Sequence, residues 1–152
     1  MILIISQTVL RMVLIGKTGN GKSRSGNTIL GRPNVFKFKA SSTSITSRCK
    51  PAEGRINGRR VKIIDTPGLF DTRPEKTATV TLLEMARCLT MTVPGPHVFF
   101  LVLSIGDRFT QEDQDTIDIV RKTFGEEVFR WALKNESTIK FALRLKRFRY
   151  II

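Results

Sequence analysis

Between Val9 and Leu30 the chain passes from an apolar run to a helix-compatible segment through Gly16-Lys-Thr-Gly-Asn-Gly21-Lys22-Ser23. That passage constrains the fold more than any other feature. Val9 to Ile15 is rich in β-branched residues and stops at a glycine, as a buried parallel strand does. Lys22 to Leu30 carries helix-compatible residues, with Gly31 as a C-cap and Pro33 just beyond. The connecting octet fits G-x-x-x-x-G-K-[ST], a loop whose glycines let backbone N–H groups turn inward around phosphate oxygens. The helix that follows presents its positive end to the same point. Lys22 would reach the β- and γ-phosphates, and the Ser23 hydroxyl would ligate Mg²⁺. A glycine-rich turn with no ligand is the alternative, and four matched positions between a strand and a helix weigh against it.

The remaining pattern extends this beginning into an alternating α/β chain. Arg55-Ile-Asn-Gly-Arg59 marks a hairpin, which makes Val61 to Ile64 a strand antiparallel to the one before it. Thr79 to Leu89 approximates a helical apolar face, and Pro94-Gly-Pro96 breaks it. Val98 to Leu103 is apolar on both faces, as a central strand must be. Thr110 can cap a helix from Gln111 to Phe124, with acids in the first turn and Arg121-Lys122 in the last. The expected fold is a three-layer α/β arrangement. Its open, mostly parallel sheet carries one antiparallel hairpin strand and is flanked by helices on both faces. Val9–Ile15, Val61–Ile64 and Val98–Leu103 should lie side by side, with the glycine loop at their C-terminal edge.

Composition narrows the setting. At 152 residues, 41% hydrophobic and 26% charged, the chain reads as one globular domain. Its 2 cysteines are too few for a disulfide scaffold and lack metal-ligand spacing, so a reducing, cytoplasmic setting is expected. No apolar run approaches the ~20 residues of a membrane-spanning helix. The net charge of +13 predicts attraction to polyanions and says nothing of fold. Basic residues are spread over the whole chain, so specific nucleic-acid binding is not expected. Asp65-Thr-Pro-Gly68 is ordinary turn chemistry when taken alone. It closes the second apolar strand, however, where an acid can hold a Mg²⁺-bound water and the Gly68 N–H can contact a γ-phosphate. His97, the only histidine, is read as a positioned residue beside a buried strand and given no chemical role.

Taken together, these residues resemble the immunity-associated GTPases, also called the GIMAP or IAN family. The resemblance rests on the glycine loop followed by Gly26-Asn-Thr-Ile-Leu-Gly31, and on Asp65-Thr-Pro-Gly-Leu-Phe-Asp-Thr72. It continues through Ala86-Arg-Cys88, Pro94-Gly-Pro-His97, Arg108-Phe-Thr-Gln-Glu112 and Phe124-Gly-Glu126. It covers residues 9–134 as a partial AIG-type G domain with a P-loop NTPase fold, leaving 135–152 as a divergent basic tail. The resemblance implies binding of GTP and GDP with Mg²⁺. It sets Gly16, Lys17, Thr18, Gly19, Asn20, Gly21, Lys22, Ser23 and Arg24 on the phosphates, with Asp65 and Gly68 opposite. It makes Thr46 the threonine of the first switch, so that Ser23, Thr46 and Asp65 form the metal set. Leu69 stands where Ras-like enzymes keep a water-orienting glutamine, and an aliphatic side chain cannot position water. The resemblance supplies instead an arginine across a nucleotide-facing homo- or hetero-dimer of related GTPases, and Arg108 matches it.

The chain departs from the family in its last third. The guanine-reading loop should follow a later strand, but after Trp131-Ala-Leu133 comes Lys134-Asn-Glu-Ser-Thr138 and a basic stretch. Phe38 also stands where the family has a small polar residue. The sheet is therefore expected to be incomplete on its C-terminal side, as in a truncated family member. For 135–152 the alternation of Ile139, Phe141, Leu143 and Leu145 with polar residues admits a strand, and a frayed tail is equally admitted. Two functions follow, beside a third reading, binding of nucleic acid or anionic membrane by the basic tail, that rests on charge alone. One is a slow, Mg²⁺-dependent GTPase assisted by self-association. The other is a GTPase-like fragment impaired in nucleotide binding that acts only as an interaction module.

Overall fold

The computed structural model describes residues 8–37, 48–68, 78–102, 110–124, 132–133 and 140–144. Strand β1 (Leu10–Ile15) leads through the glycine loop into helix α1 (Lys22–Leu30). The hairpin β2 (Lys50–Ile56) and β3 (Arg59–Asp65) follows, then helix α2 (Ala78–Thr90), β4 (Val98–Val102) and helix α3 (Gln111–Phe124). Two further strands, β5 (Ala132–Leu133) and β6 (Lys140–Arg144), come last. The sheet order is β2-β3-β1-β4-β6-β5. As expected, β3, β1 and β4 are adjacent and parallel, with Leu14 opposite Asp65 and Ile15 opposite Leu101.

Local signals explain the boundaries. The turn between β2 and β3 is Asn57-Gly58, both at positive φ (47° and 79°), a pairing that matches the twist of a two-residue hairpin. Gly31 ends α1 in the left-handed conformation and donates its N–H to the Asn27 and Thr28 carbonyls. Thr110 starts α3 as a capping box: its N–H and hydroxyl donate to Asp113 Oδ2 at 3.0 and 2.9 Å.

The period-2 alternation of β1 builds two cores. Met12 and Leu14 face α1 with Leu30, Phe36, Val61 and Ile63. Val13 and Ile15 face the other way, joining Ile64, Met85, Cys88, Phe99 and Leu101, with Ile117 of α3 packed against them. Three layers result, α1 on one side and α2 with α3 on the other. Each fully buried Ile, Leu or Phe contributes roughly 1.5–3 kcal/mol of transfer free energy, so this central strand holds the molecule together.

Two findings modify the sequence expectation. The sheet was expected to hold a single antiparallel hairpin strand, yet β6 also runs antiparallel to β4, Phe99 opposite Leu143 and Leu101 opposite Phe141. The reason is that β4 would otherwise end the sheet with a row of unsatisfied backbone groups, and an alternating segment can satisfy them. Of the two possibilities left open for 135–152, residues Lys140–Arg144 thus take the strand. The two cysteines, expected in a reducing setting, are joined: Cys49, just before β2, is bonded to Cys88 of α2, with Cα atoms 5.6 Å apart.

Candidate functional site

At the C-terminal edge of β1 and β3 the two motifs meet. Ser23 Oγ donates to Asp65 Oδ2 at 2.6 Å, across 42 residues of sequence. Asp65 is 1% exposed, set at the end of β3 by its pairing with β1. The neighbouring Thr66 hydroxyl donates to the Leu14 carbonyl at 2.6 Å and so pins Asp65-Thr-Pro-Gly68 to the central strand. No separate signal in the sequence singles out Thr66.

The loop itself is a cradle of backbone. Gly16 approaches β4 so closely that a Cβ there would run into the Val102 carbonyl oxygen. Gly21, with φ 81°, begins α1 without any side-chain cap. The N–H groups of a helix's first turn have no partners within the helix, and this first turn carries no acid to compete for an anion. Lys22 is buried, its ammonium donating to the Gly16 and Lys17 carbonyls at 3.0 and 2.9 Å. Gly68 lies against the loop from the other side. A Cβ on Gly68 would fall 2.6 Å from both Cα and N of Thr18, so only glycine permits the approach. The Thr18 hydroxyl is buried there with no hydrogen-bond partner among the described residues.

Two predicted loop residues turn elsewhere. The Lys17 ammonium lies 3.3 Å from Thr110 Oγ1 and 3.8 Å from Asp113 Oδ2, against the start of α3. Asn20 is buried and donates to the Val102 carbonyl at 3.0 Å and to Asp113 Oδ1 at 3.4 Å. Arg24 is exposed and lines a groove of about 280 Å³ with Asn27, Thr28 and Arg32, so only its backbone belongs to the cradle. Thr46, Arg108, Phe38 and Leu69 lie outside the described residues.

Asn27 is a residue that sequence reasoning missed. Its amide donates to the Pro33 and Phe36 carbonyls and accepts from the Phe36 N–H, each at 2.8 Å. It therefore fixes the start of the connection after α1 onto the helix. A buried asparagine inside a helical segment, where the residue has poor propensity, was the available signal.

The donor set suits a nucleotide with Mg²⁺. The cradle offers N–H groups and an ammonium to anionic oxygens, and the buried Thr18 hydroxyl awaits a partner. One hydroxyl and one carboxylate are the protein ligands Mg²⁺ takes when phosphate oxygens and water supply the rest. Among the described residues no group of three His, Cys, Asp or Glu side chains could hold a metal. None of the described helices is long and apolar enough to cross a membrane.

At the opposite end of β1 lies a second buried polar cluster. His97 Nδ1 accepts from the Arg11 N–H at 2.9 Å, and the His97 N–H donates to the Arg11 carbonyl at 2.8 Å. Arg11 Nε donates to the Gly95 carbonyl at 2.6 Å. Burial foremost, then the charges of Arg11 and Arg59, pushes the imidazole pKa down to about 4. His97 is the positioned residue the sequence suggested.

Comparison with known proteins adds to this geometry. The family model described as the AIG1 family matches residues 10–133. Immune-associated nucleotide-binding protein 3 of Arabidopsis thaliana is 38% identical over 128 residues, which is 84% of this chain and 37% of that protein. GTPase IMAP family member 8 of Rattus norvegicus is 38% identical over 125 residues, 81% of this chain and 17% of that one. The chain thus spans well under half the length of these relatives. Among solved structures, Toc33 from Arabidopsis thaliana in complex with GDP and Mg²⁺ superposes with a TM-score of 0.62. The identity there is 21%, over 85% of this chain and 53% of Toc33, so this likeness speaks for the fold.

Proposed function

This chain belongs to the AIG1 family, and from that membership and the site's geometry we propose that it binds GTP and GDP with Mg²⁺ and hydrolyses GTP slowly. One observation carries the reading above all: the 2.6 Å hydrogen bond from Ser23 to Asp65 at the mouth of the glycine loop. It joins a hydroxyl and a carboxylate that have no local reason to meet. In the proposed complex Lys22 leaves the Gly16 and Lys17 carbonyls for β- and γ-phosphate oxygens. The first-turn N–H groups of α1 hold the β-phosphate, and the Gly68 N–H meets the γ-phosphate. Ser23 and Asp65, with Thr46, hold the cation, Asp65 through water. A Mg²⁺ held by these residues would supply the positive charge that offsets charge developing on the phosphates.

Relatives support the reading. A Toc33 structure contains Mg²⁺ and GMPPNP, and dimerization is described as important for the GTPase activity of atToc33 and psToc159. In our reading residues 9–134 supply part of a G domain and residues 135–152 a divergent basic tail. The partner is a second copy or a related GTPase, met through the nucleotide face. Arg108 is the residue it receives, and a cytoplasmic location goes with that role.

The test is titration of labelled GDP with and without Mg²⁺, and with ADP as competitor. Mg²⁺-dependent binding with preference for GDP is expected, and no binding of either nucleotide ends the proposal. Equal binding of GDP and ADP would mean that the chain does not read the base. Turnover per molecule is then measured against protein concentration. It should rise as copies associate, and Arg108→Ala should remove the rise while leaving GDP affinity nearly unchanged. An arginine delivered to a γ-phosphate is worth roughly 10³–10⁵ in rate. Turnover independent of concentration would return Arg108 to the surface.

A further inference from the structure

Asp113 does more than cap its helix. In an ordinary capping box the side chain at the third helical position answers the N–H of the cap residue, and nothing distant is involved. Here Oδ2 performs that local task with Thr110. Oδ1 reaches 93 residues back in sequence to Asn20 Nδ2 in the glycine loop, at 3.4 Å. The Lys17 ammonium lies 3.8 Å from Oδ2, and the carboxylate is buried, Asp113 being 5% exposed. A buried carboxylate with both oxygens engaged needs such partners, because an unanswered charge there is costly.

The second observation concerns Asn20. The amide group that meets Asp113 also donates to the Val102 carbonyl at 3.0 Å. Val102 is the last residue of β4, and Asp113 lies in the first turn of α3. One side chain of the glycine loop therefore holds both ends of the connection between β4 and α3. Displacement of the loop backbone by a ligand must move the ends of that connection, or break these bonds.

We infer that Asp113 is a positioning residue through which the glycine loop sets the start of α3 according to whether the loop is filled. The inference rests on the nucleotide reading above. When phosphate enters, the loop backbone closes around it, and Asn20 and Lys17, still in contact with Asp113 and Thr110, carry that ordering to the start of α3. The first turn of α3 then tightens onto the loop.

Amide hydrogen exchange of the whole chain, with and without GDP and Mg²⁺, tests this. In the wild type both segments should slow on binding: residues 16–25, and residues 110–116 by about fivefold or more, the usual scale of coupling between sites. Asp113→Asn keeps the size but offers one acceptor oxygen where two are used. Its loop should still be protected by nucleotide while the response at 110–116 disappears. Asp113→Glu retains a normal capping residue but displaces the carboxylate from Asn20. It should show a stable α3 without the response, and it serves if the asparagine variant does not fold. Thr110→Val removes half of the cap and leaves Asn20–Asp113 in place. It should speed basal exchange of α3 yet keep the response to nucleotide.

A full response in either Asp113 variant overturns the inference. So does a wild-type loop that is protected while α3 stays indifferent. Lack of protection in the loop itself is a different result, which overturns the nucleotide reading and this inference with it.

Discussion

The two ends of β1 each hold a cation among polar groups, half-buried Arg11 at one and buried Lys22 at the other, and they use it in opposite ways. At the N-terminal end Arg11 and His97 exchange hydrogen bonds through backbone and ring, and the Arg11 side chain also donates to the Gly95 carbonyl. At the C-terminal end Lys22 rests on two neutral carbonyls of its own loop, and the Thr18 hydroxyl has no partner among the described residues. Carbonyls are weaker partners for an ammonium than phosphate oxygens are. The second therefore keeps a buried hydroxyl that an oxygen of the proposed nucleotide would accept from. The strongly shifted histidine sits at the wrong end for chemistry. A displaced pKa is a pointer to function only when the groups around it have something left to bind.

Substitutions at the two ends should separate these roles, the largest effect first. Lys22→Ala removes two charge-assisted contacts to phosphate, and Ser23→Asn removes the hydroxyl offered to the cation. At roughly 1.5–3 kcal/mol per charged hydrogen bond, Lys22→Ala should weaken GDP binding about 100-fold or more and Ser23→Asn about 10- to 100-fold. Isothermal titration gives the affinity, and ligand-free melting gives the separate cost of the hydrogen bonds lost at Gly16, Lys17 and Asp65. His97→Gln should lower the melting temperature while leaving GDP affinity within about threefold, as expected of a distant, independent site. If the glutamine variant loses nucleotide as fully as the alanine variant, the two ends are not independent and the comparison fails.

How far the sequence revealed this division depends on where each contact is encoded. Elements driven by local pattern were legible: α1 runs from Lys22 to Leu30 as read, and Thr110 caps α3. The meeting of Ser23 and Asp65 was legible too, because parallel strands bring their C-terminal ends to one edge. Contacts made by a single polar side chain over long separations were not. Nothing in the spacing of Asn20 and Asp113, 93 residues apart, marks them as partners. Strand β6 was half legible, since alternation admits a strand but does not say which edge will take it. The joining of Cys49 to Cys88 followed from the packing of α2 against the strands, which two cysteines 39 residues apart do not announce.

The smallest effect concerns pH, and it sharpens the contrast at the N-terminal end. His97 titrates at about 4 in the folded chain, against an ordinary 6.5. The unfolded chain therefore binds more protons than the folded one between these values, and stability rises with pH across that window. The contribution of neutral His97 is fully present above pH 6.5 and is lost as pH falls toward 4. The slope approaches one proton, about 1.4 kcal/mol per pH unit, which amounts to about 2 kcal/mol by pH 5. Carboxylates titrate in the lower part of the same range, so the informative quantity is the difference between wild type and His97→Gln. Urea denaturation at half-unit steps from pH 7.5 to 5 measures it. The wild type's advantage should shrink steadily below pH 6.5, because the glutamine has no proton to gain. A constant difference would mean that the histidine titrates alike in both states, and that neither burial nor Arg11 holds it neutral. GDP affinity of the folded protein over the same range should not follow this curve, since the loop at the other end of β1 does not sense the imidazole's charge.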